Sequence, residues 1–315
     1  MKNVISVLTC VVVLLMLCTS CAVPNLSDGE NSQPTMEKDT VLETHQPEQY
    51  PSYSFLNCNF YNEKNFAKAV QQASVYDMEG KILCGVVPHH LTADRMISSF
   101  FKTAKQNRPD VETVVLIAPM HYRTNEKLST TRLDWRTPMG ELVTDSDIVG
   151  SFITKINTAI DDTQLEEDHS ASAIIPFVKY YYPDAKVACL LVSGRTSTDM
   201  SQQIAELLAS IAKEKNCLFV FSVDFSHYLT LEETDVCDEQ TREAVLSGDL
   251  DMISRMGSDH MDAPRCMHIF ISLTELLGGS VYELDHSNSL RISGRSPSDP
   301  AFSGGLTSYF IFAGY

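Results

Sequence analysis

Three short apolar runs that each end in histidine constrain this chain more than any other feature. They are Ile82-Leu83-Cys84-Gly85-Val86-Val87-Pro88-His89-His90, Val114-Val115-Leu116-Ile117-Ala118-Pro119-Met120-His121 and Leu218-Phe219-Val220-Phe221-Ser222-Val223-Asp224-Phe225-Ser226-His227. Continuous β-rich apolar runs are the signature of parallel strands buried on both faces, and ligands gather outside the carboxyl ends of such strands. If the three strands share one sheet, imidazoles from distant parts of the chain line one rim. That is how a metal or proton-transfer site is built, because imidazole both binds transition metals and titrates near neutrality. The bland alternative for each histidine alone is a hydrogen-bonded structural residue at a strand end.

The first twenty residues stand apart from that pattern. Lys2 supplies a short positive segment, Val4 to Leu17 is almost wholly apolar, and Cys18-Thr19-Ser20-Cys21 follows. This reads as an export signal of lipoprotein type with Cys21 as the lipid-attachment residue. Ordinary cleavage or an uncleaved anchor is the alternative, and the run falls short of the ~20 residues of a membrane span. Residues 21–51 are rich in Ser, Asn, Gln, Pro and acids, and lack periodicity, so they are expected to form a disordered acidic tether. The expected localisation is therefore extracytoplasmic, held to a membrane by lipid.

Residues 52–315 are enough for one large α/β unit. The formal charge of −17, with no basic block, argues against nucleic acid as a partner. Cys84, Cys189 and Cys217 lie in or beside apolar runs and are expected to be buried thiols, while Cys58, Cys237 and Cys266 follow no metal-binding spacing. Strand-like and helix-like patterns alternate along the domain. Helices are expected over Leu91 to Gln106, from a cap at Asp145, over Ser170 to Tyr181 with a break at Pro176, over Ser201 to Lys215, Leu231 to Leu246, Asp251 to Met256 and Ala263 to Leu277. Strands are expected at Lys186 to Val192 and near Ser280-Asp285 and Leu306-Phe312. The fold class is α/β, a mainly parallel or mixed central sheet with helices on both faces.

Pro88-His89, Ala118-Pro119-Met120-His121, Glu167-Asp168-His169-Ser170, Ile175-Pro176-Phe177 and Ser222-Val223-Asp224-Phe225-Ser226-His227 occur in the order of the Memo family, whose bacterial members are called AmmeMemoRadiSam system protein B. Thr137-Pro138-Met139-Gly140 and Ser308-Tyr309-Phe310 are similar as well, so the resemblance covers roughly residues 80 to 315. It implies a fold like that of the class III extradiol dioxygenases, which use non-haem iron. It places His89 and His121 at the two metal-facing histidine positions and His227, with Asp224 beside it, at the acid/base position. His169 is expected in the pocket or just behind it.

The chain departs from that pattern in three places. His90 follows His89 where the family has alanine, so either imidazole could face the metal. Ser172 stands where a glutamate is common. The third ligand, a cysteine in Memo and a glutamate in the dioxygenases, falls at Met261 or Asp262. Two histidines and a carboxylate form a facial triad suited to iron(II). Asp262 before Ala263-Pro264 is equally placed as a helix N-cap, and Cys266 ranks below it as a ligand.

The function implied is redox or dioxygen-dependent chemistry on a small organic substrate, with iron as the metal and copper or zinc as alternatives. Two rival readings are a lipoprotein that binds a metal or ligand without turnover, and a metal-assisted hydrolase.

Overall fold

The apolar runs become adjacent strands of one sheet. A computed structural model describes residues 55–315, Arg123 excepted; the leader, the acidic tether and Cys21 lie outside the described residues. In chain order the strands are Phe55–Asn57 (β1), Cys84–Val87 (β2), Thr113–Pro119 (β3), Leu128–Thr130 (β4), Asp134–Thr137 (β5), Gly140–Leu142 (β6), Ala159–Ile160 (β7), Lys186–Val192 (β8), Cys217–Ser222 (β9), His227–Leu229 (β10), Val281–Asn288 (β11) and Leu306–Gly314 (β12). Nine of them form the main sheet in the order β10-β12-β2-β9-β3-β8-β4-β7, with β11 also paired to β12. Strands β2, β9, β3 and β8 are mutually parallel, and β12 and β4 flank them antiparallel. β1, β5 and β6 make a separate small sheet.

Both faces of the parallel core are covered, as its continuous apolar runs require. Strand residues alternate between faces, so β3 sends Val115 and Ile117 into one core and Val114, Leu116 and Ala118 into the other. The first core is closed by helices Ser146–Ile156, Thr198–Glu214 and Pro264–Leu276, the second by Glu63–Gln72, Asp94–Asn107 and Ile175–Tyr181. The fold is therefore α/β with a mixed central sheet and helices on both sides.

Local chemistry sets the element boundaries. Asp145 caps the helix Ser146–Ile156, its side chain accepting from the amides of Asp147 and Ile148. The segment expected as one helix around Pro176 is two, His169–Ser172 and Ile175–Tyr181, with the proline in the first turn of the second, where its missing N–H costs nothing. The helix expected from Leu91 begins instead at Asp94, after a tight turn at Leu91–Ala93. Cys84, Cys189, Cys217 and Cys266 are buried and free. Among the described residues no helix is long and apolar enough to cross a membrane.

Gly85 fixes how closely β2 and the helix Asp94–Asn107 approach. A Cβ there would lie 2.2 Å from the ring of Phe100, itself wholly buried. Gly85→Ala is expected to destabilise the domain by about 1–3 kcal/mol, the usual cost of overpacking a filled core. A urea unfolding curve measures it, and a midpoint equal to the parent's would contradict this account of the packing.

Candidate metal centre

The strand order explains which side chains meet. β9 lies between β2 and β3, in register so that Val87 pairs with Ser222 at the carboxyl end. His89 leaves β2 and His121 leaves β3, one on each side of the segment Ser222 to Asp224. The histidine of the middle run, His227, reaches the cleft from β10 and not from the middle strand itself. The middle strand's contribution is Ser222 and Asp224, which hold the neighbours in place.

His89 is buried, and its Nδ1 lies 3.0 Å from Ser222 Oγ. That hydroxyl donates its single hydrogen to the carbonyl of Ser170 at 2.6 Å, so it accepts from His89 and the ring proton sits on Nδ1. His121 is fixed in the same way by a different partner. Its Nδ1 donates to Asp168 Oδ1 at 2.9 Å, and its backbone amide donates to Oδ2 at 2.7 Å. Asp168 is wholly buried and also accepts from the amide of Ser170, capping the short helix His169–Ser172. In the neutral form of both rings, Nε2 therefore carries the lone pair.

Both Nε2 atoms face one carboxylate oxygen. Asp262 Oδ2 lies 3.1 Å from His89 Nε2 and 3.4 Å from His121 Nε2. Neither approach has hydrogen-bond geometry, and Oδ2 is buried without a donor. Of the two roles open to Asp262, the helix cap is not formed. The helix Pro264–Leu276 begins from Ala263 with no side-chain cap, and Asp262 Oδ1 accepts instead from the amide of Asp224 at 3.2 Å. The amide of Asp262 in turn donates to the carbonyl of Asp224 at 3.0 Å. Cys266 is buried inside the first core, on the helix.

His169 completes a group of three imidazoles. One nitrogen from each of His89, His121 and His169 lies within 4.8 Å of the others, a grouping that could hold a metal ion. The ring of His169 stacks on that of His121 with centroids 4.4 Å apart. The doubt between His89 and His90 is resolved by orientation, because His90 turns its Nδ1 to the hydroxyl of Tyr309 at 2.7 Å. Asp224, expected beside His227, makes its hydrogen bonds elsewhere. Its Oδ1 accepts from the amides of His89 and His90, and its Oδ2 is 3.6 Å from His89 Nε2. His227 sits on β10, its amide bonded to the carbonyl of Ser258 and its Nδ1 buried without a partner. Ser172, at the glutamate position, donates to the carbonyl of Asp168.

These groups line a cleft of roughly 360 Å³ formed by His89, His90, His121, His169, Asp224 and His227 with Tyr228, Ser258, Asp262 and Thr307. That size falls within the ~300–1,000 Å³ typical of small-molecule sites. Two functional residues were not assigned roles from sequence, Asp168 and Ser222. Each sits inside a quoted motif, one residue before His169 and two before Asp224, so their proximity was visible but their task was not.

The electrostatics divide the histidines. Burial opposes charge on His121, but Asp168 and Asp262 outweigh it and push its pKa up to about 10. Burial likewise opposes a proton on His89, and Asp224 and Asp262 raise its affinity above the ordinary value. Burial pulls the other way on Asp262, yet the same two histidines hold its carboxyl well below the usual range. Burial and the neighbouring His89 and His121 depress His169 to about 4. Until a metal displaces it, the proton on His121 is held well above neutral pH.

The residues 61–303 match the family of Memo-like proteins. The chain belongs to the Memo family. A MEMO1 family protein of Methanosarcina acetivorans is 25% identical over 266 residues, covering 80% of this chain and 95% of its own. One from Methanosarcina mazei is 25% identical over 177 residues, covering 55% of this chain, which spans 64% of that relative's length. The solved structure of an uncharacterised protein from Escherichia coli K12 aligns over 74% of this chain and 99% of its own, at 12% identity and a TM-score of 0.49.

A group bound more tightly to its proton in the folded state stabilises fully below its unfolded pKa and loses that contribution as pH rises through the folded value. For His121 the window runs from about 6.5 to about 10. Ion-free protein is therefore expected to lose thermal stability as pH rises from about 7 to 9, and His121→Gln should flatten that decline. Parallel slopes for parent and variant would refute the assignment.

Proposed function

We propose that this Memo family protein holds a divalent transition metal at His89, His121 and Asp262 and performs redox or dioxygen-dependent chemistry on a small organic molecule. One observation carries the metal reading. A buried carboxylate oxygen without a donor faces two nitrogens whose other ring positions are already committed as donors. Lone pairs opposed in this way repel unless a proton or a metal ion joins them, and a metal ion can satisfy all three at once. The spacing suits an ion, because atoms ~2.0–2.2 Å from one centre at ordinary coordination angles lie ~3.0–3.5 Å apart. The outer partners suit it too, since ligating histidines commonly donate their second N–H to a carboxylate or another fixed acceptor.

Iron is the metal implied by the family resemblance, with copper or zinc as alternatives. When bound, iron would supply redox chemistry and open coordination positions. The other residues have separate tasks. Asp168 and Ser222 keep the ring protons on Nδ1. Asp224 fixes the backbone of His89 and His90 and, through its amide, the carboxylate of Asp262. His169, neutral at physiological pH, offers a hydrogen bond at the cleft opening. His227 lines the cleft and is the group available to move a proton. A second reading, a metal- or ligand-binding protein without turnover, is favoured by Ser172, whose hydroxyl is tied to the Asp168 carbonyl where an acid/base group would otherwise stand. Export and lipid attachment at Cys21 belong to the same proposal and rest on the pattern of the leader.

Anaerobically purified protein is expected to bind one equivalent of Fe(II) by metal analysis. His89→Ala combined with His121→Ala should abolish it, and Asp262→Asn should weaken it at least tenfold. Asp168→Asn should weaken it ~10–100-fold, as loss of an outer partner does. Full occupancy in the double histidine variant would sink the proposed site. Dioxygen uptake with candidate catechols by the iron-loaded protein separates the enzyme from the binder. For the leader, Cys21→Ala is expected to release the protein from the membrane fraction and to abolish labelling by radioactive palmitate. Retained labelling would rule out attachment at Cys21.

A further inference from the structure

The residue after His227 is conformationally costly in a way that local folding does not repay. Tyr228 has φ of 63°, in the left-handed region that bulky side chains avoid. Its side chain gains little from packing, for Tyr228 is 77% exposed and its ring lies tilted against that of its neighbour His227 at a centroid distance of 5.6 Å. A glycine or asparagine would adopt this backbone at less cost.

The surroundings force the conformation. The amide of His227 is held by the carbonyl of Ser258, and β10 pairs with β12 through His227 to Thr307 and Leu229 to Leu306, with a register shift at Tyr228. Gly305 presses against the same point. It has φ of 91°, and a Cβ there would lie 2.2 Å from the Tyr228 carbonyl carbon. Strain that is over-determined in this way, and kept on an aromatic residue at the edge of a cleft, points to a task for the ring. Tyr228 lines the same cleft as His89, His121 and Asp262, and also a second hollow formed by Leu229, Leu290, Phe302 and Leu306. Among the described residues, the cleft is lined by imidazoles, carboxylates, hydroxyls and the Tyr228 side chain.

We propose that Tyr228 is a ligand-binding residue, its ring forming the aromatic wall against which a flat, unsaturated group stacks while the ligand's chelating head meets the metal centre. This rests on the metal reading above and names the substrate class it admits: a planar chelator. Aromatic stacking adds affinity beyond simple burial, and an exposed ring at the mouth gains most from being covered.

The test compares two chelators with the same head group, benzohydroxamate and acetohydroxamate, titrated into the full chain loaded with Co(II) and followed by its visible spectrum. Benzohydroxamate should bind about 5–30-fold more tightly to the parent. Tyr228→Phe should keep that ratio. Tyr228→Asn, which tolerates the left-handed backbone, should bring it close to one while melting no lower than the parent. If the parent binds both equally with cobalt retained, or if Tyr228→Asn leaves the ratio intact, the stacking role is overturned and the metal site stands. If cobalt itself fails to bind, the metal reading falls, and this inference with it.

Discussion

The site depends on β9 lying between β2 and β3. A parallel neighbour on each side leaves the carboxyl end of β9 flanked by two chain exits, one through Pro88 and one through Pro119. The residues on the middle strand then act on both flanks. Ser222 reaches the ring of His89, and Asp224 reaches the backbone of His89 and His90. Asp168 does the corresponding work for His121 from outside the sheet. The imidazoles are aimed by these partners, and backbone geometry alone would leave each ring free to rotate about two bonds.

The burial of three carboxylates around two histidines shapes the chemistry the pocket can do. Asp168 and Asp224 are almost fully buried, and Asp262 is only 14% exposed at its side chain. Such groups are expensive to bury without compensating charge. The raised proton affinity of His89 and His121 offsets part of that cost, and the proposed metal would compete with protons for the same nitrogens. Metal affinity and pH are therefore linked through the same pair of nitrogens.

Much of this was legible in the chain. The apolar runs announced buried strands because their residues alternate between two covered faces, and the helices followed from their periodicity and caps such as Asp145. The positions of His89 and His121 on one rim followed from the strand ends. What pattern could not convey was the direction of individual side chains. His89 and His90 are adjacent in sequence, and only the fold shows one turned to Ser222 and the other to Tyr309. Asp224 is close enough to His227 in sequence to suggest a pair, yet its oxygens are used by backbone amides across the strand gap. Asp262 looked as much like a cap as a ligand, because cap geometry and pocket geometry share the same local sequence. The strain at Tyr228 left no sequence signal, since it arises from Gly305 and Ser258, both remote along the chain.

Asp262 comes to the cleft from a turn between helices, tied to Asp224 by reciprocal bonds between their main chains and a carboxylate. All of the central sheet's parallel strands precede it, and the carboxylate arrives only with the final third of the chain. A polypeptide growing from its amino terminus thus presents both histidines well before it presents their common partner. The complete donor set exists only once the last third has docked, so ion capture would mark the end of folding and could not serve as its nucleus.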